Sequence, residues 1–182
     1  MPDPTTGGVY RYDLSGLNHD GWDYFQYWTP DNVYLVNLCG TTAADCHPNS
    51  SVCIRRPKGT GFVFESGGLT ETQTFSATKG HSVQDSVTVS YSEGHKCGSG
   101  SFKTNIEVNC LETADPGFFY DLRPINDCEV TLSMYSVHGC GKPFVDSSSG
   151  KDFSESRGIQ LIPTAFMLLL SFVLVMLKHW FI

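Results

Sequence analysis

Seven cysteines constrain this chain more than any other feature of its 182-residue sequence. They are Cys39, Cys46, Cys53, Cys97, Cys110, Cys128 and Cys140. Disulfides do not persist in reducing compartments, so this density is typical of a protein that folds in the secretory pathway. The cysteines therefore predict one domain stabilised by a disulfide framework, with one thiol left over.

A zinc site is the alternative use of these thiols, with the candidate ligands Cys39, Cys46, His47 and Cys53. No CxxC pair is present, although such pairs are the usual signature of structural zinc. We therefore expect no metal and no cofactor. Asn49 begins an Asn-Ser-Ser triplet between two of these cysteines, which predicts an exposed N-glycosylation site.

The C-terminal segment is strongly hydrophobic. Leu161–Leu177 contains 17 residues and no charged side chain. As a helix it would span about 26 Å, close to a hydrocarbon core of about 30 Å. We therefore predict a folded domain over residues 1–145, a polar linker over 146–158 and a membrane segment over 159–182.

Two kinds of membrane attachment fit this segment. One is a single transmembrane helix. The other is a glycosylphosphatidylinositol signal, with small residues from Ser147 to Gly150, a polar spacer and a terminal apolar tail. Lys178 and His179 lie within the tail and favour the transmembrane helix.

Alternating apolar and polar residues predict β-strands. The period of two occurs in residues 83–91, 101–110 and 128–140, and residues 32–38 form a further apolar run. Turn-forming Gly, Ser and Asp clusters separate these segments. Several short strands in this arrangement are typical of an all-β antiparallel sandwich or barrel.

The composition excludes several classes of function. Charged residues make up 17% of the chain and the net charge is −7, so no basic surface for nucleic acid is expected. The six histidines are scattered, and we find no spaced pair of carboxylates and no nucleophile motif. We therefore expect no enzymatic activity and no nucleic-acid partner.

Six motifs occur in a fixed order between residues 9 and 143. They are YDLSGL at 12–17, NVYLVNLCG at 32–40, the cysteines of 46–53, Tyr91…Gly94…Cys97, TxIxVxC at 104–110, and the closing Cys128 and Cys140. Together they resemble the mannose 6-phosphate receptor homology (MRH) domain, in the form of the repeats of the large cation-independent receptor.

The resemblance implies a flattened antiparallel β-barrel made of two crossed sheets. It also implies the disulfides Cys97–Cys128, Cys110–Cys140 and Cys46–Cys53. Cys39 would pair with a cysteine upstream of the first strand, and the sequence offers none, so Cys39 is expected to be unpaired in this chain. The first residues also lack an apolar signal peptide. We therefore expect the natural chain to begin further upstream.

The resemblance also places the family's carbohydrate-binding residues. Lectin members use a Gln, an Arg, a Glu and a Tyr, and the corresponding positions are Ile54, Phe102, Ile125 and Val130. Apolar side chains cannot hydrogen-bond sugar hydroxyls. Lys103 adjoins the Arg position, but a shift of one residue turns a strand side chain to the opposite face.

These expectations combine into one functional hypothesis. The chain is a membrane-anchored, luminal or extracellular MRH-type module that binds an unidentified protein or glycoprotein and is not itself a sugar binder. It would reside in the Golgi, the endosome or lysosome, or at the cell surface. The alternative is a lectin receptor for mannose or mannose 6-phosphate that sorts glycoproteins to lysosomes. Arg55 and Arg56 are the nearest alternative contacts for an anion.

The two forms of membrane attachment predict different results with phosphatidylinositol-specific phospholipase. The chain is expressed on cells behind a secretory signal sequence, and the released fraction is measured by immunoblotting. A transmembrane helix cannot be cleaved by this enzyme, so we expect the protein to stay with the cells. Release, together with loss of the residues after Gly150, would instead establish the lipid anchor.

Overall fold

The structure is a computed structural model that describes residues 1–3, 7–19, 25–42 and 46–144. The described residues form β-strands and three short 3₁₀ helices, Ser15–Leu17, Thr70–Thr72 and Val137–Gly139. The predicted linker and membrane segment lie outside the described residues. Within the described part of the chain, no helix has the length and hydrophobicity needed to cross a membrane.

Thirteen strands follow one another along the described chain. They are β1 (Tyr10–Arg11), β2 (Phe25–Trp28), β3 (Val33–Val36), β4 (Ser50–Lys58), β5 (Gly61–Leu69), β6 (Thr74–Ala77), β7 (Ser86–Tyr91), β8 (Lys96–Cys97), β9 (Gly100–Ser101), β10 (Lys103–Cys110), β11 (Phe118–Asn126), β12 (Glu129–Ser136) and β13 (Lys142–Pro143).

Two sheets dominate the fold. One has five strands in the order β11-β12-β10-β7-β6, and the other has four in the order β2-β3-β4-β5. Two small ladders, β1-β13 and β8-β9, accompany them. The all-β prediction is confirmed. The three segments with alternation correspond to β7, β10 and β12, and the apolar run of 32–38 corresponds to β3.

The predicted antiparallel barrel needs two corrections. The described strands form separate sheets and do not close into a barrel, because no ladder joins an edge of one large sheet to an edge of the other. In addition, β10 and β12 run parallel, with Lys103 opposite Glu129. After β10 the chain leaves one position in the sheet empty and forms β11 beyond it. Strand β12 then fills that position, antiparallel to β11 and parallel to β10.

The inward faces of the two sheets form the main core. Alternate residues of β7 and β10 are fully buried, including Val87, Val89, Ile106 and Val108. Strand β3 is different, because all four of its residues are buried. A second, smaller cluster lies on its other face and contains Val33, Leu35, Cys46 and Cys53, with Phe64 packed against it. The four-stranded sheet is therefore apolar on both faces.

Three disulfides cross-link the domain: Cys46–Cys53, Cys97–Cys128 and Cys110–Cys140. These are the pairs that the resemblance implies. The sulfurs of Cys46 and Cys53 are bonded to each other, which removes two ligands from the alternative zinc site. Cys39 is a free thiol.

Glycines allow the sheets to approach each other closely. A Cβ atom on Gly94 would lie 2.6 Å from the Ser66 carbonyl oxygen and 2.9 Å from the Phe102 carbonyl oxygen. Both neighbours are backbone atoms, which cannot rotate away as a side chain does. Gly94 is therefore required by the contact between β5 and the turn that leads to β10.

Gly94→Ala is expected to destabilise the domain by about 1–3 kcal/mol, the usual cost of overpacking. Gly61→Ala on β5 is the matched control, because a Cβ atom there meets nothing within 4 Å. Chemical denaturation of both variants, followed by tryptophan fluorescence, measures the difference. Equal free energies of unfolding for the two variants would contradict the close approach at Gly94.

Candidate functional site

The four carbohydrate positions inferred from the resemblance do not form an open polar site. Ile54, Phe102 and Val130 belong to the main core cluster and are almost fully buried. Ile125 lies outside that cluster on β11, with 56% of its surface exposed. The structure thus brings three of these side chains into the core and leaves the fourth on the surface.

A polar cluster covers the core beside these residues. The His95 ring stacks on the Phe102 ring, with centroids 4.9 Å apart and planes inclined by 19°. His95 Nδ1 lies 2.9 Å from the Ser66 carbonyl oxygen, and His95 Nε2 lies 3.6 Å from Glu65 Oε2. The same carboxylate oxygen is 2.9 Å from Arg56 Nε. Arg56 is therefore already paired with an acid.

Lys103 is paired in a similar way. Its Nζ lies 3.1 Å from Glu129 Oε1, the residue directly opposite it in β12. Glu129 Oε1 also accepts a hydrogen bond of 2.7 Å from Asn105 Nδ2. The Asn105 amide, and then Lys103, hold the pKa of Glu129 below its ordinary value. Lys103 alternates along its strand with buried Phe102 and Thr104, so it faces away from the core.

An open groove of about 600 Å³ lies elsewhere on the domain, between the N-terminal segment and strands β6 and β7. Three exposed apolar side chains, Val9, Phe75 and Phe144, contribute to its lining. The Arg11 guanidinium carbon lies 4.8 Å from the centroid of the Phe144 ring. Sequence analysis did not identify this groove, because its residues come from distant segments that only the fold brings together.

Cys39 lines the same groove and is held by a buried tyrosine. Its backbone N–H donates to Tyr91 Oη over 3.1 Å, and its φ of 61° places it in the left-handed region. Gln73 Nε2 donates to Tyr91 Oη over 2.9 Å and lies 3.4 Å from Cys39 Sγ. Burial raises the pKa of Tyr91, so its hydroxyl stays protonated at neutral pH.

Asn49 lies in the loop closed by the Cys46–Cys53 disulfide, and its side chain is exposed. Its backbone carbonyl accepts hydrogen bonds of 2.8 Å from both the N–H and the hydroxyl of Thr70. The position is accessible, and its glycosylation stays a prediction.

Native thiol labelling is expected to modify Cys39 alone, because the other six cysteines are in disulfides. The measurement is peptide mass spectrometry after iodoacetamide treatment without reductant. Cys39→Ser is the control and should take up no label while keeping the three disulfides. Label on Cys97 or Cys128, or none on Cys39, would show that the pairing is wrong.

Comparison with known proteins places this geometry in a fold class. No family model matches the chain. Among solved structures, chicken IGF2R domain 11 matches with a TM-score of 0.53 and 19% identity over 77% of this chain and 89% of that one. The solution structure of domain 11 of the echidna mannose 6-phosphate/IGF2R receptor matches with a TM-score of 0.52 and 19% identity, and the match covers 78% of this chain and 94% of that one. The resemblance to MRH domains is thus confirmed at the level of the fold.

Proposed function

We propose that this chain is a receptor-type binding module of the secretory pathway that does not itself bind sugars. Its MRH-like domain, residues 1–145, would lie on the luminal or extracellular side of a membrane. Residues 146–158 would form a linker and residues 159–182 the anchor. The partner would be a protein or a glycoprotein.

The observation that carries this proposal is the burial of Ile54, Phe102 and Val130. A sugar site gains affinity from donors and acceptors that match each hydroxyl. An unmatched polar group costs about 1–3 kcal/mol, whereas a millimolar-to-micromolar complex is worth roughly 4–8 kcal/mol in total. Replacing four polar partners by apolar ones therefore removes as much free energy as such a complex contains.

The charges around the buried residues support the same proposal. Arg56 is paired with Glu65, and Lys103 is paired with Glu129. A phosphate at this end of the core would compete with carboxylates that already neutralise these cations. Its own negative charge would also meet the two acids at close range.

Other observations support the compartment and the class of protein. Three disulfides are typical of an oxidising compartment. The 17 uncharged residues of Leu161–Leu177 favour a membrane anchor. The structures that share the fold are receptor domains, which favours binding over catalysis. A net charge of −7 gives no support to nucleic-acid binding.

Calorimetric titration of the full chain in detergent tests the proposal. Mannose 6-phosphate and a high-mannose glycan are the two probes, and we expect no saturable heat from either at millimolar concentration. A domain with established mannose 6-phosphate binding, titrated in the same buffer, shows that the assay detects such a complex.

Non-reducing peptide mapping and near-ultraviolet circular dichroism on the same sample establish that the three disulfides and the packed core are intact. With those intact, micromolar binding of either probe would refute the proposal and support the lectin alternative. It would also show that the carbohydrate residues lie at positions other than Ile54, Phe102, Ile125 and Val130.

A further inference from the structure

The outer face of the four-stranded sheet carries two large exposed aromatic side chains. Trp28 is 64% exposed and Phe62 is 61% exposed. Residues directly opposite one another in neighbouring strands point to the same face. Trp28 of β2 lies opposite Val33 of β3, which in turn lies opposite Arg55 of β4. Phe62 of β5 lies opposite Pro57, which is two residues along β4 from Arg55 and so on the same face. All of them therefore share the outer face.

Arg55 is held between the two rings. Its guanidinium carbon lies 5.1 Å from the centroid of Trp28 and 4.8 Å from the centroid of Phe62. Among the described residues Arg55 forms no ion pair, and its Nε is buried without a hydrogen-bond partner. The Nε of its neighbour Arg56 also lacks a well-aligned hydrogen bond, but Arg56 points to the inner side and its Nε lies 2.9 Å from Glu65 Oε2, so Arg56 has an acidic partner. We call Trp28, Arg55 and Phe62 the arginine clamp.

The guanidinium of Arg55 has no acidic partner within the residues that the structure describes, although a carboxylate is the group that it binds best. Rings on either side restrict its access to water and favour its orientation by cation–π attraction. Its N–H groups lie in its own plane and match the two oxygens of a carboxylate. A partly buried charge without an acid is unfavourable, and a carboxylate from outside would relieve that cost.

The clamp also has the composition of a protein interface. Aromatic residues, Trp above all, and Arg are enriched at the centre of protein interfaces, where most of the binding energy is concentrated. Arg55 is the cation that this face of β4 presents, because Arg56 and Lys58 alternate with it and point to the other face, where Arg56 is paired with Glu65. Charge complementarity therefore favours an acidic occupant at this position.

We propose that the arginine clamp docks an acidic segment of a partner protein. An Asp or Glu carboxylate of that segment would bind Arg55, and apolar side chains next to it would cover Trp28 and Phe62. A purely polar anion, such as a sulfated glycan, would leave the two rings exposed.

This inference rests on the proposed role as a binding module, but its test uses different ligands. The probe is a phage library of random dodecapeptides, panned against the full chain in detergent. The peptides recovered are expected to contain an Asp or Glu next to apolar residues. Peptides without acidic residues, or no enrichment at all, would overturn the proposal whatever the result of the sugar titrations.

Variants locate the binding. Arg55→Gln and Trp28→Ala are expected to weaken the recovered peptides about tenfold or more, as at interface hot spots. Lys58→Gln removes an exposed charge from the same strand. We expect it to change the affinity for the peptides less than twofold, because an exposed charge outside the contact contributes little to affinity. Phe75→Ala removes an exposed ring from the other sheet and is the control for Trp28→Ala. Circular dichroism establishes that each variant is folded.

The other possible occupants are tested in parallel, with sulfated heparin, phosphatidylserine vesicles and analytical ultracentrifugation of the chain alone. Binding of heparin or vesicles that Arg55→Gln abolishes, without peptide binding, would replace the protein partner by an anionic glycan or lipid. Self-association that Arg55→Gln abolishes would replace it by a second copy. Peptide binding that is equal in Arg55→Gln and Lys58→Gln would place the interface away from the clamp.

Discussion

The fold depends on a close backbone contact between its two large sheets. A Cβ atom on Gly68 of β5 would lie 2.5 Å from Tyr91 Cβ on β7, and one on Gly94 would meet the backbone of Ser66 and Gly67. Thr104 Oγ1 donates to the Gly67 carbonyl over 2.8 Å across the same contact. These glycines let the sheets approach closely, and the space that remains between the sheets is filled by aliphatic side chains together with Tyr34, Tyr91 and Phe102.

The positions that the resemblance assigns to carbohydrate lie mostly in the packed core, and the cations beside them are paired with acids. Phe102 fills the core beneath His95, and Glu65 lies opposite Ile54 in the ladder, within reach of both His95 and Arg56. A ligand would have to displace a packed ring and a paired carboxylate together. The outer face is different, because Arg55 there is flanked by rings and forms no ion pair with any acid in the described part of the chain. Any binding role of this domain is thus better supported outside the core.

Much of the fold followed from local patterns. Period-two alternation in 83–91, 101–110 and 128–140 predicted strands, because successive strand side chains point to opposite faces. The order of motifs implied the fold and the three disulfides, whose pairs the structure contains. Alternation cannot show whether neighbouring strands run parallel, so the β10-β12 pairing was mispredicted. Pairing direction depends on chain crossings that no local window contains.

The sequence by itself determined the all-β class and the faces of the main strands, because each depends on residue type and short-range spacing. The motif resemblance added the four apolar residues at the positions that it assigns to carbohydrate. The tertiary structure decided which charges are paired and which are not. Arg55 and Arg56 are adjacent and chemically identical, yet they point to opposite faces of one strand. One meets Glu65, and the other lies between Trp28 and Phe62. These partners come from the neighbouring strand β5 and from the more distant β2, and the strand pairing and register that bring them together are set only in the folded molecule.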